Sequence, residues 1–290
     1  MKITTYDFYN KESKQEIMLI DFIKKCFKET DSVIKYFKEL KPDKLDEYLS
    51  MLRNKLKSEL KGFQYNISIF DFNVIEKELT LLHNYPDLEE TIINFICRTL
   101  ELPKDFDNKE EKYALLYFNI SKAGRHLSYY RVKTIEDLLG KEECIKLYKQ
   151  IVEYLIKESK EQESREQPKD PMTVTRIDSR NYILENYKKL GVGNFTLGIY
   201  DDYKEIYRFD KCIVHEVLKE FDDPDIAYLS SCYLRDSPSN NEGYIIHMRK
   251  TQTLHHAEFC DEFYWNNYVY PDAKQPSLDF VENIGKDLEE

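Results

Sequence analysis

The chain has 290 residues, a formal net charge of −11 and a sequence pI of about 5.2. Hydrophobic residues make up 41 % and aromatic residues 14 %, which is enough apolar surface for a core and excludes a disordered chain. No basic stripe offsets the acidic balance, which argues against a surface that tracks nucleic-acid phosphates.

With 8 glycines and 33 % charged residues, the composition favours helix. The first ten residues are polar and aromatic, and no apolar run approaches the roughly 20 residues of a membrane helix. No export signal and no membrane span are therefore expected, and the localisation reads as cytoplasmic. The six cysteines then read as reduced thiols and not as a disulfide framework.

Taken in chain order, the first hundred residues read as helices. Ile17, Ile20, Phe22, Ile23 and Phe27 fall near helical spacing, predicting a helix over Lys14 to Phe27. Pro42-Asp43 interrupts, and Leu45, Tyr48, Leu49, Leu52, Leu56 and Leu60 continue the period. Phe72 to Leu82 and Leu88 to Leu100 give two more helices around the break at Tyr85-Pro86-Asp87. Leu102 to Lys112 is a polar connector, so the boundary is placed there: a helical N-terminal domain over 1–110 and a second domain over 111–290.

Tyr113 to Arg131 predicts a further helix. Thr134 to Asp137 resembles a capping box for a helix carrying Leu138, Ile145, Tyr148, Val152 and Leu155. Residues 157–171 have almost no apolar side chains and read as a polar insertion. Gly191 and Gly193 end a helix. Phe195 to Tyr200 and Glu205 to Phe209 alternate around a polar turn and predict a β-hairpin. Cys212 to Phe221 and Pro224 to Leu234 return to helical spacing. Tyr244 to Thr253 and Phe259 to Tyr268 predict two more strands. The fold class is therefore α+β, an N-terminal helical domain followed by helices and an antiparallel sheet.

Four of six histidines and three of six cysteines fall between Cys212 and Asp261. Cys26, Cys97 and Cys144 lie in helical patterns and read as core. The later cluster contains soft metal ligands, yet none of the strong zinc spacings is present.

Four segments in this region carry a family resemblance. They are Arg208-Phe209-Asp210-Lys211-Cys212, Cys232-Tyr233-Leu234-Arg235-Asp236, Met248-Arg249-Lys250-Thr251-Gln252-Thr253-Leu254 and Cys260-Asp261-Glu262-Phe263. Their order and spacing resemble the L-2-amino-thiazoline-4-carboxylic acid hydrolase family, over about residues 113–270. Two features depart from the pattern: Glu262 stands between Cys-Asp and the aromatic, and His255-His256 replaces a glycine-containing turn.

The resemblance implies a hydrolase that opens a cyclic amidine or isothiourea, such as L-2-amino-thiazoline-4-carboxylate, to a carbamoyl-cysteine. Such a reaction needs a nucleophile at the ring carbon, an acid for the leaving atom and a cation for the carboxylate. Cys260 and Asp261 are the first candidates for catalysis, with Cys232 and Asp236 next. Arg249 is the candidate carboxylate clamp, and Thr251 and Thr253 would share its strand face. Should a zinc or other divalent metal activate water instead, Cys212, Cys232 and Cys260 are the candidate ligands. The order of cysteines is also similar to vinyl-4-reductase-type domains, which implies the alternative of a non-catalytic small-molecule or metal sensor. The expected partner is a small carboxylate-bearing molecule, with no nucleic acid and no membrane; a homo-oligomer stays open.

Overall fold

The computed structural model describes residues 1–67, 70, 79–104, 106, 112–162 and 170–286. The protein is α+β, with a mostly helical N-terminal region followed by helices and a five-stranded antiparallel sheet. It divides into two compact units. One comprises Lys14–Leu155 with Leu229–Ser231, and the other Met1–Ser13, Ile156–Tyr228 and Cys232–Glu290. These units do not follow the connector near residue 110, because the helices after the connector pack among those before it. Among the described residues, no helix is long and apolar enough to cross a membrane.

The helical unit is built on α1 (Leu19–Leu40), α2 (Leu45–Leu60), α3 (Pro86–Thr99), α4 (Tyr117–Leu139) and most of α5 (Lys141–Gln162). Helical spacing puts Ile23, Phe27, Ile34 and Phe37 on the buried face of α1 and Leu45, Leu49, Leu52, Leu56 and Leu60 on that of α2. Burying one such side chain contributes about 1.5–3 kcal/mol. Phe37 stacks on Tyr48 at 4.5 Å between ring centroids. Cys26, Cys97 and Cys144 are core, as their pattern predicts.

Three sequence expectations change here. Residues Lys14–Ile17 form strand β2, paired with β3 (Tyr113–Leu116), so α1 begins only at Leu19 and the helix expected from Tyr113 begins only at Tyr117. The expected capping box at Thr134 lies inside α4. There the Thr134 hydroxyl donates back to the Tyr130 carbonyl at 2.7 Å, and Gly140, at φ +84°, ends the helix instead. The helix expected over Phe72 to Leu82 falls mainly outside the described residues, as does the latter part of the 157–171 insertion.

The sheet unit holds β1 (Lys2–Asp7), α6 (Ile177–Leu190), β4 (Gly193–Ile199), β5 (Lys204–Cys212), α7 (Ile213–Leu218), α9 (Tyr233–Asp236), β6 (Ile246–Arg249), β7 (Cys260–Asn266) and α10 (Leu278–Asn283). Between α7 and α9 lies α8 (Pro224–Ser231). The strand order is β1-β4-β5-β7-β6. Sequence reasoning assigns the first residues to the helical region, although Ile3, Thr4, Thr5 and Tyr6 are strong strand formers. The predicted hairpin is β4–β5. Gly191, at φ +66°, ends α6, and a Cβ there would lie 2.5 Å from the Asn10 carbonyl.

Strand alternation sorts the sheet into two faces. Phe195, Leu197, Tyr207, Phe209, Met248, Cys260 and Tyr264 pack on one. Ile206, Phe259, Phe263 and Trp265 pack on the other with Val281 and Ile284.

Candidate functional site

The register between β5 and β7 places Glu205 opposite Tyr264, Tyr207 opposite Glu262 and Phe209 opposite Cys260. All six share the face that carries Phe195 and Leu197, and all are buried. Cys212 reaches the same face by an irregularity. The β4–β5 register shifts between Asn194 and Phe195, so Asp210 is passed over and Cys212 pairs with Gly193, two residues from Phe195. Without that bulge, alternation would turn Cys212 away.

The centre of this face is a buried ion cluster. The Glu262 side chain is 8 % exposed. Its Oε2 accepts the Tyr264 hydroxyl at 2.7 Å and Arg235 Nη2 at 3.3 Å. Its Oε1 lies 3.4 Å from Lys250 Nζ, which also lies 3.1 Å from Asp236 Oδ1. Met248 pairs with Tyr264, so Lys250, two residues further on, continues toward Glu262. Arg235 is half exposed along its side chain, while its Nη2 also donates to the Tyr264 hydroxyl.

One lysine thus serves two carboxylates, and their acidities part. Burial would raise Glu262, but Arg235, Lys250 and the Tyr264 hydroxyl overcome it and bring it to about 2. At Asp236 burial prevails over the opposing pull of Lys250, so this carboxyl is raised. Burial by itself would lower Lys250, yet the attraction of Glu262 outweighs it and the ammonium is raised. The Tyr228 hydroxyl bonds Asp236 and is raised by burial and by that carboxylate.

The three thiols gather beside this cluster, and burial raises two of them. Burial pushes Cys260 well up, against a partial pull from Lys250. Burial also raises Cys212, and the nearness of Cys232 adds to it. Among the described residues, no group of three or more His, Cys, Asp or Glu side chains is placed to hold a metal ion. Cys212, Cys232 and Cys260 are therefore neighbours without forming a ligand set.

A second buried cluster shares the face. Glu205 Oε1 accepts Arg176 Nε at 2.9 Å, Arg176 Nη2 at 2.7 Å and the Tyr207 hydroxyl at 3.1 Å, while Oε2 accepts Arg180 Nε. Arg176 lies over the Tyr264 ring at 4.4 Å, so the two clusters meet at that tyrosine.

Searches of family models, curated proteins and solved structures find no match to this chain.

Several expected site residues sit elsewhere. Asp261 adjoins Cys260 in sequence but projects from the opposite face of β7, so the two do not form a dyad. Asp261 is fully buried, and its Oδ1 accepts the backbone N–H groups of Thr251 at 2.9 Å and Gln252 at 2.8 Å. Its Oδ2 accepts Gln275 Nε2 at 2.5 Å. Arg249 is exposed and lies over the Trp265 ring at 5.3 Å, also on the far face. β6 ends at Arg249, so Thr251 and Thr253 are beyond the strand and share no face with it. Thr251 is exposed, and the Thr253 hydroxyl lies 3.5 Å from His256 Nδ1. Asp236, Cys232 and Cys260 do belong to the cluster.

Glu262, Lys250, Arg235 and Tyr264 are not among the expected site residues, and Glu262 enters the sequence reading only as a departure from the family pattern. A signal exists: Glu262 occupies an alternate position with Cys260 and Tyr264 in an otherwise apolar strand, where a charge is costly unless paired. Lys250 shares its parity with buried Met248.

Proposed function

We propose that the protein is a hydrolase that opens a carboxylate-bearing cyclic amidine or isothiourea, such as L-2-amino-thiazoline-4-carboxylate, at the Asp236–Lys250–Glu262–Arg235 cluster. The observation that carries this reading is the pair of carboxylates, Asp236 and Glu262, 3.1 and 3.4 Å from the buried Lys250 ammonium, the first raised and the second lowered. Divergent acidities of two neighbouring acids suit an acid–base role for one and an electrostatic role for the other. Asp236, ionised, takes a proton from an attacking water and then returns it to the departing sulfur or nitrogen. Glu262 stays anionic and holds Lys250 and Arg235 in place. The half-exposed Arg235 receives the substrate carboxylate. The raised thiol of Cys260 favours water over a thiolate as nucleophile.

Incubation with L-2-amino-thiazoline-4-carboxylate, before and after metal loading, tests this by the gain of one water in the product mass. Thiol release distinguishes cleavage of carbon–sulfur from carbon–nitrogen. Asp236→Asn should lower kcat by about 10²–10⁴-fold while the fold is retained. No turnover by the native protein under either condition would overturn the hydrolase reading.

One observation favours a second reading, a non-catalytic small-molecule-binding module similar to vinyl-4-reductase-type domains. The charged groups of the cluster pair with one another, so its order does not depend on a reaction. Saturable binding of the same compound without its consumption would select that reading.

A further inference from the structure

We infer that Asp261 is a positioning residue for Lys250, acting from the opposite face of the sheet by clamping the backbone just after it. Lys250 stands one residue beyond the end of β6, where the strand ladder no longer restrains it. The next two N–H groups, of Thr251 and Gln252, both donate to Asp261 Oδ1, at 2.9 and 2.8 Å. The Asp261 N–H returns a longer bond to the Gln252 carbonyl at 3.4 Å. The acceptor is fixed in turn, because Gln275 Nε2 donates to its other oxygen. Charge-assisted bonds to a buried carboxylate are the stronger kind.

The clamp explains how a flexible side chain is held in one place. Lysine carries high rotamer entropy, and its ammonium is costly to bury. Yet Lys250 Nζ sits between Asp236 and Glu262 with its side chain 5 % exposed. Fixing the backbone at 251 and 252 leaves only the side chain to be ordered. The groups that face Lys250 from neighbouring elements are Asp236 on α9, Glu262 and Cys260 on β7, and Cys232 between α8 and α9. In this account an aspartate beside a cysteine serves the site through a lysine, and does no proton transfer itself.

The inference takes the cluster as the site, as proposed above, but its test needs no substrate. Lysine acylation of the full chain is followed by mass spectrometry in the native protein, Asp261→Leu and Asp261→Asn, with Cys260 alkylation read in parallel. In Asp261→Leu, labelling of Lys250 should rise about tenfold or more, the response to losing hydrogen bonds to a charged acceptor. Cys260, on the other face of the same strand, should stay as slow as in the native protein. An asparagine side chain keeps an oxygen at the Oδ1 position, so Asp261→Asn should restore Lys250 protection. Unchanged Lys250 labelling in a folded Asp261→Leu would overturn the inference, as would equal exposure of Lys250 and Cys260. If Asp261→Leu does not fold, amide exchange in the native protein decides: protected Thr251 and Gln252 amides support the clamp, and freely exchanging ones refute it. Failure of hydrolysis would leave this result standing, and failure here would leave turnover unaffected.

Discussion

Asp31 in the helical unit and Asp236 in the sheet unit are the same side chain in opposite electrostatic states. Burial by itself would raise both. At Asp31 the backbone N–H groups of Leu82, Thr80 and Leu81 and the Thr80 hydroxyl reverse that effect, and the carboxyl is lowered. Its oxygens accept all four donors at 2.7–2.9 Å, with no cation among them. At Asp236 the main compensation is one lysine, shared with Glu262, and burial prevails. Dedicated dipoles thus stabilise a charge more fully than a divided cation does. The first arrangement anchors a turn to a helix; the second leaves a carboxyl able to exchange a proton.

The largest test of this contrast removes the competitor for the lysine. Glu262→Ala leaves Lys250 and Arg235 without their shared anion and should cost about 3–5 kcal/mol in urea unfolding. A loss below about 1 kcal/mol would mean that Glu262 is not the anchor of the cluster.

Asp31→Ala, in the other unit, should cost about 1.5–3 kcal/mol, because it strands buried N–H donors. Its pH dependence has a definite sign. A lowered carboxyl adds stability above its unfolded value of about 3.9, and that stability is lost as the pH falls through the folded value. The difference between native protein and Asp31→Ala should therefore shrink in acid, and a constant difference would contradict the assigned shift.

Asp236→Asn should show a smaller effect of opposite sign. A raised carboxyl contributes stability below the unfolded value and loses it as the pH rises through the folded value. The Asn variant should match the native protein in acid and gain on it toward neutrality. Thermal melts across that range would expose the error if the native protein gained instead.

Arg249→Ala marks the lower end. Its exposed contact with the Trp265 ring is worth about 0.5 kcal/mol, and neither the cluster nor turnover should respond. A large loss of turnover would restore Arg249 as the carboxylate clamp.

Much of the secondary structure can be read from local pattern. The periods of α1 and α2, the proline that opens α3, the glycine that ends α6 and the alternation of β4 and β5 are encoded within a few residues of each element. β1 escapes such a reading because a lone strand at a sheet edge has no local partner; β4, nearly two hundred residues away, makes it a strand. The candidate site is only partly legible, since Cys232, Asp236 and Cys260 stand out by type whereas Lys250 and Glu262 resemble ordinary surface charges. By itself the sequence determined the α+β class, the core cysteines and the concentration of reactive residues in the last eighty positions. Tertiary structure decided which of them meet. Strand alternation separates Cys260 from Asp261, a one-residue bulge returns Cys212 to the cluster, and antiparallel pairing carries Lys250 toward Glu262. Side-chain direction depends on register, and register depends on partners that no local window contains.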